Sequence, residues 1–353
     1  MKETSTIILA PLGAIYSAAI RVRRALYKKG AFKVHRISAP VISIGNITTG
    51  GTGKTPLVEW VARAIASEGR RVCILTRGYG RRDVKRRVIV SDGEQILSDA
   101  REGGDEPLQL AEALLGKAAV ISDADRVAAA RYATEILQSE VFILDDGFQH
   151  LRIARSLDLV VVDAMNPWGG GKLLPRGRLR EPLRELKRAD CIILTRTEQA
   201  EDVDSLRKQA ERLSGGRPII LSRTRTKKFR PLSEITGKPD SVSSTYNSSL
   251  HPHSFAAFCA IGNPSAFFKQ IERDGYDLNY TQRFPDHHAY TQNDVDEFIV
   301  KACRAGAEAL LTTAKDAVKL RSLNFSLPCY VLEIELEFDD EEKLRAMIRE
   351  AIN

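Results

Sequence analysis

From residue 40 onward the chain alternates short aliphatic, β-branched runs with stretches of helical period. The runs are Val41–Ile44, Val72–Thr76, Arg87–Val90, Ala119–Ile121, Val141–Leu144, Leu159–Val162, Cys191–Leu194 and Pro218–Leu221. Runs that are apolar at nearly every position, with helices between them, predict parallel strands covered on both faces in a doubly wound α/β sheet. Residues 237–254 break this rhythm: they are rich in Ser and Pro and carry no apolar period, as a linker does. The rhythm resumes with Phe255–Ile261, a helix near Ala266–Asp274, Ala309–Thr312, Tyr330–Leu336 and a closing helix at Glu341–Ile352. The expected organisation is a core over 37–236, a linker over 237–254 and a smaller α/β lobe over 255–353, with a cleft between the lobes.

Residues 1–36 read differently. Ile7–Ile20 is uncharged and mostly apolar, and Arg21 opens a basic run. At 100° per residue, Leu12, Ile15, Tyr16, Ala19, Val22, Leu26 and Tyr27 share one face, with Arg21, Arg24 and Lys28 opposite. Such an amphipathic helix suits a membrane surface, with aliphatics and rings in the acyl boundary and cations toward anionic headgroups. It equally suits a helix packed on its own domain. A secretory signal would place its charges before the apolar run rather than after it.

Charge sharpens this picture. The 353 residues hold 53 Lys+Arg against 46 Asp+Glu, a net charge of +7. Residues 1–36 contribute eight basic side chains and one acid, Glu3, so the rest of the chain is neutral. A neutral body without an aromatic–basic motif argues against nucleic-acid binding. Five scattered cysteines with no CxxC pair argue against a disulfide frame or a zinc site and for a reducing compartment.

The strongest chemical signal follows the first strand. Val41-Ile-Ser-Ile-Gly-Asn-Ile-Thr-Thr-Gly-Gly-Thr-Gly-Lys-Thr-Pro56 is a strand, a Gly-rich turn and the start of a helix through Leu57–Ala66. Glycines let backbone amides turn inward around phosphate oxygens, and the helix N-terminus adds its dipole. Thr48, Thr49, Gly50, Gly51, Thr52, Gly53, Lys54, Thr55 and Pro56 are therefore the expected nucleotide-binding set. Lys54 would reach the β- and γ-phosphates and Thr55 a Mg²⁺ ion. Pro56 suits the first helical turn. A strict phosphate-loop pattern wants Gly at position 48, where this chain has Thr48. Asp145 and Asp146 end the Val141–Leu144 strand, where α/β sheets bind ligands, and are candidate metal ligands or caps of the next helix. The later strand ends in Thr195-Arg196-Thr197-Glu198 rather than an Asn-Lys-x-Asp segment, which favours ATP over GTP.

With these residues in place the chain resembles the tetraacyldisaccharide 4′-kinases, the lipid A kinases of Gram-negative bacteria. The resemblance rests on the basic apolar N-terminus, Gly45–Pro56, Arg77-Gly-Tyr-Gly-Arg81, Gly104-Asp-Glu-Pro107, Asp145-Asp-Gly-Phe-Gln-His150 and Leu174–Pro182. It continues through Gly262-Asn-Pro264, Asp286-His287 and Thr312–Lys319. Thr48 is this family's habit at that position. The resemblance implies transfer of the ATP γ-phosphate to the 4′-hydroxyl of a tetraacylated glucosamine disaccharide 1-phosphate at the cytoplasmic face of the inner membrane. It also implies that the N-terminal helix docks there. It assigns Asp105 as the base that takes the hydroxyl proton, with His287 as its partner brought in by the second lobe, and leaves His288 at the surface. It sets Arg180 on phosphate charge and Glu181 beside the Mg²⁺. Arg77 and Tyr79, with Arg126, would contact the disaccharide phosphate. His150 would orient Asp146, contact phosphate or be structural. The alternatives are a soluble phosphate-loop kinase or ATPase with a small acceptor, which the basic apolar N-terminus disfavours, and a nucleotide switch, which needs no sugar-deprotonating acid.

Overall fold

The computed structural model describes residues 2–79, 81–236 and 254–353, with backbone alone for residues 2–12 and 236. The first part of the chain runs α1 (Lys2–Lys28), β1 (Val41–Asn46), α2 (Lys54–Ser67), β2 (Val72–Thr76), β3 (Val88–Ser91), α3 (Ala100–Gly103), α4 (Asp105–Ala113) and β4 (Ala118–Ser122). It continues with α5 (Arg126–Glu135), β5 (Val141–Asp145), β6 (Leu157–Asp163), β7 (Cys191–Thr195), α6 (Val203–Ser214), β8 (Ile219–Pro231) and α7 (Leu232–Thr236). After the expected linker, which lies outside the described residues except for Ser254, come β9 (Ser254–Cys259), α8 (Pro264–Arg273), β10 (Asp277–Arg283) and α9 (Gln292–Arg304). The chain ends with β11 (Ala309–Thr313), α10 (Ala314–Ala317), β12 (Cys329–Phe338) and α11 (Glu341–Ile352).

The strands form one sheet of order β10-β9-β11-β12-β8-β7-β6-β1-β5-β2-β4-β3. From β8 to β4 every pairing is parallel, as the apolar runs predicted. Alternate residues face opposite sides. Ile42, Ile44, Ile74 and Ile143 join a core with α2 and α4, while Val41, Cys73, Leu75, Phe142 and Leu144 join one with α5. Two pairings depart from the parallel expectation. β3 runs antiparallel to β4 at one edge, and the 13-residue β8 pairs antiparallel with β12. The β8–β12 ribbon therefore joins the two halves into one sheet.

The expected 255–353 lobe also needs correction at its end. Leu344, Ile348 and Ile352 of α11 are buried against Val58, Val61 and Ile65 in the first core. The smaller core is built from β9, β11 and β12 with α9 on one face, through Phe258, Phe298 and Ile299, and with α8 on the other, through Phe267, Phe268 and Ile271.

Candidate active site

β1 and β5 are neighbours, and their register sets Ile44 against Asp145. The loop leaving β1 and the acids ending β5 therefore emerge side by side at the carboxyl edge of the sheet. Between β1 and α2 the chain turns through Gly50 and Gly53, at φ 111° and 84°, values that L side chains resist. Gly53 is the N-cap of α2, and no side chain bonds the first amides of that helix. Side chains at and just after the end of β7 brace the loop. Thr195 Oγ1 donates to the Thr52 carbonyl at 2.8 Å and Arg196 Nη2 to the Gly51 carbonyl at 2.7 Å. Arg196 is itself fixed at 2.5 Å to Asp163. Anchoring those carbonyls outward leaves the loop amides for an anion.

The loop opens on a cavity of about 1090 Å³ lined from both halves of the molecule. Gly50–Pro56, Arg77, Tyr79, Glu106, Asp145, Asp146 and Arg180 come from the first half, and Gly262, Asn263, Asp286, His287 and Lys315 from the second. The halves touch at the loop itself. A Cβ added to Gly262 would stand 2.9 Å from the Gly51 nitrogen, so only glycine fits that approach.

Asp146 is a charge hub. Arg180 Nη1 donates to both its carboxylate oxygens at 2.8 and 2.7 Å, and Lys54 Nζ lies 3.5 Å away. Burial works against its charge, but Lys54 and Arg180 outweigh it and hold the carboxyl below its ordinary value. Asp145 is the reverse case. Burial, then Glu106 and Asp146, push it up to about 7, and Lys54 and Arg126 offset this only in part. A buried carboxyl left in negative surroundings fits a divalent cation, which Thr55 and Asp145 would hold together with nucleotide oxygens. Among the described residues no three His, Cys, Asp or Glu side chains converge as a metal cage.

The structure brings Asp105 and His287 together although 182 residues separate them. His287 Nδ1 is 3.5 Å from Asp105 Oδ2. Asp105 opens α4 behind Gly104, and His287 follows β10 at φ 63°. Asp146, at 52°, and Arg196, at 57°, are likewise non-glycine residues in the left-handed region. Three such residues beside one cleft mark a place where packing imposes backbone strain. Burial opposes ionisation of Asp105, but the bond to His287 and the charge of Lys319, 3.2 Å away, hold its carboxyl below the ordinary range. His288 lies half-buried, stacked on Phe284 and 3.2 Å from Asp294.

Several expected site residues lie elsewhere. Glu181, expected beside the metal, is buried and ion-paired with Arg188 and is not among the residues lining the cleft. Thr48 bridges Leu179, and the Thr49 amide bonds the Arg178 carbonyl at 2.8 Å. Both line a separate cavity of about 220 Å³ behind the loop. Arg126 is buried beside Arg77 and Asp145. His150 stands behind the cleft wall among Arg126, Arg155, Arg152 and Arg23, and burial followed by these cations pushes its pKa down to about 3. It is therefore a neutral ring within a basic cluster. Sequence reasoning missed Thr195 and Arg196 as supports of the loop, having used them only to argue about the base. It also missed Lys315 and Lys319, whose run Thr312–Lys319 carried the resemblance without assigned roles.

Comparison with known proteins bears on the whole chain. Residues 5–353 match the family model described as tetraacyldisaccharide-1-P 4′-kinase. The chain is 40% identical to the tetraacyldisaccharide 4′-kinase of Geobacter metallireducens, over 97% of this chain and 96% of that one. It is 38% identical to the enzyme of Desulfotalea psychrophila, over 94% and 93%. Its fold is similar to the crystal structure of LpxK from Aquifex aeolicus in complex with ATP, with TM-score 0.76, 30% identity and 99% of both chains covered.

Proposed function

Since the chain belongs to the tetraacyldisaccharide-1-P 4′-kinase family, we propose that its cleft transfers the γ-phosphate of ATP to the 4′-hydroxyl of a tetraacyldisaccharide 1-phosphate, a lipid A precursor. The observation that carries the site assignment is the Asp105–His287 pair, 3.5 Å apart across the two halves, beside a cleft floored by the phosphate loop.

In this mechanism the loop amides and Lys54 hold the β- and γ-phosphates, and Asp146 keeps the Lys54 ammonium in place. Thr55 and Asp145 would hold a Mg²⁺ ion, which would supply neutralising charge at those phosphates. Asp105 accepts the proton of the 4′-hydroxyl as its oxygen attacks the γ-phosphorus, and ADP leaves with the electron pair of the broken P–O bond. His287 shares the charge gained and lost at Asp105. Arg77 and Tyr79, on the cleft wall, receive the acceptor's phosphate, and the buried Arg126 adds its positive charge beside Arg77. Arg180 serves through Asp146.

α1 sits where an acylated acceptor would be delivered. Tyr16 donates its hydroxyl to the Arg180 carbonyl at 3.0 Å, Arg23 bonds the Gln149 carbonyl, and Arg24 pairs with the buried Glu185. The helix is thus pinned by its tyrosine and two arginines, Arg24 among them although the wheel set it on the outward face. Ile15 is left 65% and Val22 59% exposed. Those two exposed apolar side chains, with Arg21 and Lys28 exposed on the same helix, support docking on the cytoplasmic face of the inner membrane. No described helix is long and apolar enough to cross a membrane. We further divide the molecule into a core over residues 37–236 that includes α11 and a smaller lobe from β9 to β12.

The test is transfer of γ-labelled phosphate from ATP to tetraacyldisaccharide 1-phosphate. Wild type should label the lipid, and Asp105→Ala and His287→Ala should each lower kcat at least about tenfold, the usual range for a positioned base and its partner. No labelled lipid from wild type would overturn the function. A kcat for both variants within about twofold of wild type would overturn the base assignment.

A further inference from the structure

Asp105 has a second cationic neighbour that the mechanism above does not use. Lys319 Nζ lies 3.2 Å from Asp105 Oδ2, and its side chain is 8% exposed. Among the described residues its ammonium has no other ion-pair or hydrogen-bond partner. Neither Asp105 nor Lys319 is among the residues lining the cleft, whereas Glu106 and His287 are. His287 Nδ1 engages the same carboxylate oxygen, Oδ2. Both second-half contacts thus fall on one oxygen, and Oδ1 remains to accept a proton.

Lys315, one turn earlier, acts on the other member of the pair. Its ammonium lies 3.1 Å from Glu106, 3.2 Å from Asp286 and 3.4 Å from His287 Nε2. An ammonium has only donors, so Nε2 must accept, and the ring proton then sits on Nδ1, facing Asp105. Remaining charges around α4 are otherwise engaged. Glu102 of α3 faces Arg86, and Arg63 of α2 bonds the Ala113 carbonyl and Glu59.

We propose that Lys319 and Lys315 are positioning residues of the transfer reaction: Lys319 fixes the Asp105 carboxylate with Oδ1 left free, and Lys315 selects the His287 tautomer that donates to it. This rests on the reading of Asp105 as the base. Its consequence is that the smaller lobe supplies a set of three side chains, His287, Lys315 and Lys319, without which the acid on α4 is neither oriented nor held ionised. The carboxyl of Asp105, which burial would raise but His287 and Lys319 hold below its ordinary value, agrees with it.

The experiment is a double-mutant cycle on the full chain, using the labelled-phosphate assay with ATP and tetraacyldisaccharide 1-phosphate. Lys319→Met should lower kcat about tenfold or more while leaving KM for ATP within about twofold, and Lys319→Arg should recover most of the loss. In an Asp105→Ala background, Lys319→Met should cost less than about twofold more, because its target is gone. Lys315→Met should behave the same way toward His287→Ala. Arg273→Met removes another ion pair between the halves, to Glu198 and outside the cleft lining, and should change kcat by no more than about twofold. Losses that multiply in the double variants, or an Arg273→Met loss as large as that of Lys319→Met, would overturn the proposal in favour of a clamp between lobes. If Asp105→Ala alone retains full activity, the base assignment fails instead. Melting temperatures identify variants that unfold, and Lys319→Arg, which keeps charge and bulk, then decides the matter: a kcat no better than that of Asp105→Ala counts against positioning.

Discussion

His150 shows how position overrides residue type. A histidine closing a Gly-Phe-Gln-His segment invites a role in phosphate contact, yet burial and four arginines push its pKa down to about 3. The sign of its pH effect follows. The unfolded chain takes up the proton as pH falls through the ordinary value near 6.5, while the folded chain stays neutral to about 3. Stability therefore declines across that window, by at most about 1.4 kcal/mol per pH unit. Replacing His150 by Gln should shrink the drop in melting temperature between pH 7 and pH 5, and equal drops in both proteins would contradict this. At this scale the sequence was legible wherever chemistry is local. Lys54 and Thr55 belong to the loop they serve, and Asp145 and Asp146 end the strand that aims them. It was illegible where a side chain's meaning comes from across the fold. Glu181, expected at the metal, is paired with Arg188. Lys315 and Lys319 face acids more than 200 residues earlier.

Strands and helices were read well where burial is uniform. Val72–Thr76 and Glu341–Ile352 match their observed bounds. β10 was missed because alternate half-buried and exposed residues on an edge strand leave no apolar run. β8 was truncated at Leu221 for the same reason: beyond it the strand carries Arg, Lys and Thr in a ribbon open to solvent. α11 was placed in the wrong core, since its apolar stripe would fit any partner. Leu344 is fully buried there with Ile348 and Ile352. Truncating Leu344 to Ala should cost about 2–5 kcal/mol, the usual penalty for a buried leucine. Urea unfolding would measure it. A loss below about 1 kcal/mol would mean the helix is not part of that core.

Over the whole molecule, charge and apolar surface are distributed by task. The net charge of +7 lies in the first 36 residues, and the described part of that segment exposes Ile15 and Val22 while its arginines and tyrosine grip the body. Replacing Ile15 and Val22 together by Glu should lower co-sedimentation with anionic vesicles at least about tenfold and leave the melting temperature within about 2 °C, because neither side chain packs on the core. Undiminished vesicle binding would remove the docking role. The sequence by itself determined the α/β alternation, the phosphate loop and the two acids at the strand end, because strand burial and loop chemistry depend on neighbours within about a dozen residues. Only the tertiary structure decided that the two halves share one sheet through the β8–β12 ribbon and that α11 closes the first core. It alone set His287, Lys315 and Lys319 around Asp105. Those outcomes rest on packing and ion pairs between residues far apart in the chain, and no local period records which distant partner a side chain will meet.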